Sequence, residues 1–233
     1  MMNKAIKLLV LAGALLSVGA MAAANQTWKF GFPTYAYIYT NSTEIYFDFT
    51  NDGQPSGTDA SVLATANTDF PAAGLSNLET CIDGMVSNIS GDVEADVTAG
   101  SDLGTCYFAP SGVKHEGYSV DWSNVDNTGT DGSLLVVTNS SSYVVDAAFG
   151  NVPTGVTFMI ADMMASDISS ENDFDSFSSG SLSVTGFANQ DSDYTTQYRR
   201  TYVIPLSFAI GITPDIDTQS LSDYSMTYTF SSP

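Results

Sequence analysis

A chain of 233 residues carrying 26 acidic and six basic side chains, a formal charge of −20, is a poor partner for nucleic acid, because neutralising phosphates takes clustered Lys and Arg. Hydrophobic residues make up 43% of the chain, enough for a substantial core, and the length suits one large all-β domain or two small ones. One domain over residues 25–233 is expected, since each of two halves would need a core of its own.

The chain opens with Lys4 and Lys7, then an apolar run over residues 8–21 that is short for a bilayer span, then Ala20-Met21-Ala22-Ala23-Ala24. A basic start, an apolar middle and small residues at the cleavage positions predict a secretory signal peptide over residues 1–24. No Cys stands at that junction to take a lipid, and no later apolar run approaches the length of a transmembrane helix. The expectation is export to the extracellular space, the cell surface or a periplasm, with no transmembrane anchor in the mature chain. Beyond the leader only Lys29, Lys114, Arg199 and Arg200 are basic.

Residues 26–50 hold the richest core material. Trp28, Phe30 and Phe32 alternate, Pro33 breaks the phase, Tyr35, Tyr37 and Tyr39 alternate again, and Ile45, Phe47 and Phe49 follow. Period two means strands. An aromatic face at this spacing belongs to a core in most sheets, and that is the reading taken for the three tyrosines; the alternative is a platform on which sugar rings stack, with Trp28 beside it.

Residues 51–57 are rich in turn formers, and residues 71–81 are the best place for the one short helix. Weak strand patterns follow at 93–99, 105–109 and 117–122, and a Gly-rich polar loop at 124–132. Leu134-Leu135-Val136-Val137 is predicted as a buried run. Residues 143–149 and 156–161 stand at hairpin-like spacing around Gly150-Asn151-Val152-Pro153-Thr154-Gly155. A long polar loop is expected over 162–180, then strands at 181–187, 198–204, 206–212 and 224–230. Many short strands with little helix predict an all-β chain, an antiparallel β-sandwich of the jelly-roll or elaborated immunoglobulin-like type with at most one or two short helices.

Chemistry-bearing motifs are sparse. His115 is the single histidine, without the second His of a zinc-protease helix and without a Gly-x-Ser-x-Gly elbow elsewhere, so no catalytic residue is assigned and an enzyme is not expected. Paired carboxylates of a secreted polysaccharide hydrolase remain an alternative, because many acids offer many pairs. Cys81 and Cys106, the two thiols of an exported chain, are expected to form a disulfide closing a loop of about 25 residues. Ca²⁺ is the one candidate cofactor. Asp126 and Asp131, Asp173 and Asp175, and Asp191 and Asp193 place oxygen donors close together as hard-cation loops do; the competing reading is that each carboxylate caps its own turn. Asn25, Asn41, Asn88 and Asn139 head Asn-x-Ser/Thr triplets, which chance supplies in a Ser/Thr-rich chain.

Tyr202-Val203-Ile204-Pro205-Leu206, followed by Ser222-Asp223-Tyr224-Ser225-Met226-Thr227-Tyr228-Thr229-Phe230, resembles the closing strands of pilin-like secreted subunits of the spore-coat-U type and the ending of WxL-type cell-surface proteins. The likeness spans about 30 residues; the early Cys of the first family and the paired Trp motifs of the second are missing. It implies a surface or filament context. The expectation is therefore an exported structural or adhesive subunit of a pilus, matrix or surface layer. It would self-assemble into homo-oligomers or filaments by pairing a terminal strand, residues 26–32 or 224–230, with a neighbour's sheet edge. The alternative is a Ca²⁺-dependent carbohydrate-binding module.

Overall fold

The computed structural model describes residues 33–50, 70–87, 104–115, 130–140, 142–150, 152–178, 184–188, 201–214 and 224–232, together with Lys29, Gly31, Thr58 and Ile216. The chain divides into a unit of residues 1–33, of which Lys29, Gly31 and Pro33 are described and lie exposed, and a unit of residues 34–233. Every element named below belongs to the second unit.

Its strands are β1 Ala36–Thr40, β2 Ser42–Tyr46, β3 Cys106–Phe108, β4 Gly112–His115, β5 Gly132–Thr138, β6 Val144–Phe149, β7 Val156–Ala161, β8 Asp175–Ser178, β9 Val184–Ala188, β10 Thr201–Ile212 and β11 Met226–Ser231. A helix, α1 Leu75–Ser87, joins them. The large sheet runs β1-β5-β10-β7-β8 with β3 also on β10; a smaller one runs β11-β6-β9; β2 and β4 form a pair. Every pairing among these strands is antiparallel.

The main core lies between the two larger sheets. Leu134 and Val136 of β5, Ile204, Leu206 and Phe208 of β10, and Ile160 of β7 meet Val145, Ala147 and Phe149 of β6, with Met226, Tyr228 and Phe230 of β11 at its border. This is the expected antiparallel sandwich: each strand turns alternate residues inward. Burial pushes the Tyr228 phenol's pKa up.

Three local outcomes differ from the sequence expectation. Residues 143–149 and 156–161 are strands, but not a hairpin: β6 belongs to the small sheet and β7 to the large one, and the connection, with Val152 buried and Gly155 at φ 78°, carries the chain between layers. The break at Pro205 is absent, since β10 runs through it. Leu206 O accepts from Asp131 N–H and Phe208 N–H donates to Asp131 Oδ2, so even-numbered residues face β5, and the missing N–H of Pro205 faces the side where β7 begins only at Ser207. A proline is tolerated there because no ladder bond is lost. Finally, the polar stretch 162–180 is not a loop throughout. It contains short 3-10 turns at Ala165–Asp167 and Glu171–Asp173, and then β8, which turns Phe177 into the core.

The helix starts later than expected and continues to Ser87 because Leu78, Cys81 and Met85, spaced three and four apart, keep presenting one side to the core. Cys81 and Cys106 form the expected disulfide, tying α1 to β3 with Cα atoms 6.1 Å apart. Segment 70–73 joins the chain just past β3 through a parallel bridge between Ala72 and Ala109. Strands predicted at 93–99 and 117–122 lie outside the described residues.

Candidate functional site: an edge strand and its exposed tyrosine face

The large sheet has two outer regions. Over the C-terminal half of β10 and over β7, Met159, Ala161 and Ala209 are covered by Phe70, Ala165, Ile168 and Phe174, a second core on the far side of the sheet. Ser207 is anchored there too, donating to Met163 O at 3.0 Å. Over β1, β5 and the start of β10 the described residues supply no such cover.

β1 pairs with β5 in the register Ile38 to Val136 and Tyr37 to Val137. Because Val136 is fully buried, Ile38 is turned inward with it, and the tyrosines are turned out. The expectation that the tyrosine row forms a core face is thereby corrected: Tyr35, Tyr37 and Tyr39 are 46%, 58% and 37% exposed. The rings of Tyr35 and Tyr37 stand 6.4 Å apart, inclined at 48°. Across from them on the same face lie Val137 and Leu135, then Val203, all half-buried. Leu134-Leu135-Val136-Val137 is thus buried on alternate residues only. No acid or base occurs in β1, β5 or β10. The sequence reading missed Leu135, Val137 and Val203 as members of this face. Their signal was present, as apolar residues on both phases of their strands.

β1 is also an edge. Asn41 N–H donates to Ser133 O at 3.1 Å, Tyr35 N–H donates to Asn139 Oδ1 at 3.0 Å, and Thr138 Oγ1 donates to Tyr35 O at 2.7 Å. Odd-numbered residues therefore turn their backbone groups towards β5, and Ala36, Ile38 and Thr40 turn theirs away, where no described strand pairs. Asn41 closes the strand; it is buried, its Oδ1 accepts from Ser133 N–H, and the chain bends into β2. A side chain at neighbouring position 132 would put Cβ 2.5 Å from Ser42 Oγ and 3.3 Å from Ser42 Cβ, so any residue larger than Gly132 would make the Ser42 side chain shift. Among the described strands β11 is likewise an edge, bonded to β6, and it passes close to β1.

The acidic candidates are scattered. Asp131 is buried at the start of β5, where its carboxylate accepts from Phe208 N–H at 3.0 Å. Asp173 Oδ2 accepts from Ser169 N–H, Ser169 Oγ and Ser170 N–H at 2.7, 2.9 and 3.0 Å. Those bonds, led by the Ser169 N–H, hold its carboxyl below the usual value. Both carboxylates do the backbone-capping work of the competing reading. Asp175 is exposed at the start of edge strand β8. Asp126, Asp191 and Asp193, like Trp28, lie outside the described residues. Asn41, being buried, is not an accessible glycosylation acceptor in this fold. His115 ends β4 opposite Ser42.

No protein-family model, no curated protein and no solved structure matches this chain.

Proposed function

We propose that this chain is an exported structural subunit of a cell-surface or extracellular assembly, built by strand pairing between copies. The observation that carries the reading is the juxtaposition at β1: an open edge beside an apolar, uncharged sheet face, in a chain with 26 acidic residues. Natural sandwiches blunt their edges with Lys, Pro, bulges or inward charges, and Ala36-Tyr37-Ile38-Tyr39-Thr40 uses none of these. An edge ladder supplies backbone bonds and the alternating side chains supply register. Of the two terminal segments expected to pair, 224–230 forms most of β11, an edge strand, while Trp28, Phe30 and Phe32 of the first lie outside the described residues. The disulfide and the predicted leader support the exported setting.

The test is light scattering and negative-stain electron microscopy of the exported chain at rising concentration, in calcium and in chelator. Oligomers, sheets or filaments are expected. Dispersed monomers in both conditions overturn the reading. The exposure of three tyrosines in one row favours a second reading, a carbohydrate-binding face. Glycan binding abolished by Tyr37→Ala identifies it, and loss of that binding in chelator assigns Ca²⁺ a part.

A further inference from the structure

We infer that two copies of this chain join edge to edge through β1, antiparallel, about a two-fold axis through Ile38. This rests on the assembly reading and commits it to one seam and one register.

The backbone directions restrict the geometry. Ala36, Ile38 and Thr40 face outward, so an added strand must bond to these three. A two-fold interface brings the same patch of both copies together. Centred on Ile38, it sets Ile38 against its own copy and Ala36 against Thr40, and each such pair exchanges two N–H to O bonds. This register pairs the whole of β1 with the whole of its copy. A shift by two residues leaves an outward-facing group of the strand unmatched.

The side chains suit the same register. Tyr37 falls opposite Tyr39 of the second copy at the sites without ladder bonds, where strands bring their Cα atoms to about 4.5 Å. The exposed tyrosines then become cross-strand aromatic pairs, flanked by Leu135 and Val137 on each side. The two large sheets merge into one continuous sheet.

Charge selects the occupant. Two strongly acidic bodies repel, and they approach closely only through surface free of acid. β1, β5 and β10 supply that surface, since none of the 26 acids lies in them; Asp131, next to β5, is buried and accepts from Phe208 N–H, and Glu44, the acid nearest to β1 in sequence, is paired to Lys114 at 2.8 Å. A basic partner would be drawn to the acidic surface elsewhere. An uncharged, self-complementary edge is suited to a second copy.

The experiment is a register-specific cross-link with a parallel mass measurement. Tyr37→Cys and Tyr39→Cys chains are prepared separately; the native cysteines are already bonded to each other. Mild oxidation of the mixture is expected to give disulfide-linked dimers joining the two variants, and each variant alone is expected to give few. Tyr37→Lys, placed on the exposed face, is expected to weaken association by roughly tenfold, because it sets charges beside the seam. Added salt is expected to strengthen association of the parent chain by screening the acids. Association that survives Tyr37→Lys with no mixed cross-link overturns the β1 seam and leaves assembly through another edge standing. Preferential linking of Tyr37→Cys to itself overturns the register. A parent chain that is monomeric throughout overturns both this inference and the assembly reading.

Discussion

The outer face of the large sheet has two regions that share strand β10 and differ in what lies over them. On the half made by β7 and residues 207–212, Phe70, Ala165, Ile168 and Phe174 seal the sheet, and β10 is buried on both faces. On the half made by β1, β5 and residues 202–206, alternate residues of β5 and β10 are half-buried and the tyrosines of β1 stand exposed. Both halves are apolar. Similar composition therefore packs under a second layer in one place and stands partly exposed in the other, and what separates them among the described residues is whether a segment lies over the sheet.

The largest effect is expected in the sealed half. Phe174→Ala removes a ring that packs on Phe70 at 5.5 Å and leaves a cavity over β7, so a loss of about 3–5 kcal/mol is expected in denaturant unfolding. A change under about 1 kcal/mol would mean that this half is loosely packed, and the comparison would collapse from that side. Next comes the disulfide, which holds α1 to β3. Replacing Cys81 and Cys106 together by Ser is expected to cost about 3 kcal/mol through the loop of about 25 residues that it closes. Thermal unfolding with and without reductant checks this.

A smaller effect belongs to Asp173, whose carboxylate holds the turn that delivers Phe174 to the second core. Its pKa is lowered from 3.8, so its contribution is present above that value and is lost as pH falls below it towards the folded-state pKa. Asp173→Asn is expected to flatten the acid limb of the stability–pH curve and to change little at neutral pH beyond the cap itself. An unchanged acid limb would show that the bonds from Ser169 and Ser170 do not distinguish the two protonation states. Smaller again is the Lys114–Glu44 pair across β2 and β4, exposed on both sides and expected to contribute about 0.2–1 kcal/mol, read from a double-mutant cycle in low and high salt.

The division between the two halves was only partly legible in the sequence. Period two located β1 and β11, apolar runs set off by turn formers located β5, β6 and β7, and two thiols in an exported chain pointed to the disulfide. A strand's period says that it has two faces and not which one is inward. For β1 the choice was made by β5, whose Val136 carries Ile38 into the core with it. The aromatic size of Tyr35, Tyr37 and Tyr39 pointed the other way. Strand β8 was hidden because an edge strand needs one good inward residue, and Phe177 among Asp and Ser does not make a pattern. The cover over the sealed half was hidden for a related reason: Ala165, Ile168 and Phe174 are spaced by turns rather than by a regular period, so residues that form a second core read as a polar loop. Asp131 and Asp173 read as metal donors because short Asx-rich runs serve cations and backbone caps alike, and only the positions of Phe208 N–H and Ser169 N–H separate the two.

The smallest effect on stability is expected at Tyr37, and it tests the comparison most directly. With 58% of its surface exposed and its backbone held by β5 whatever its side chain, Tyr37→Ser should move the unfolding free energy of the monomer by no more than about 0.5 kcal/mol. The measurement is chemical unfolding at a concentration low enough that subunits are separate, since association adds apparent stability by mass action. Near-neutrality there, beside the large cost of Phe174→Ala, would show that aromatic rings over the two halves of one sheet face answer to different partners. A cost at Tyr37 of several kcal/mol would mean that this half is also sealed within the chain, and the open face would then have no surface to offer a second copy.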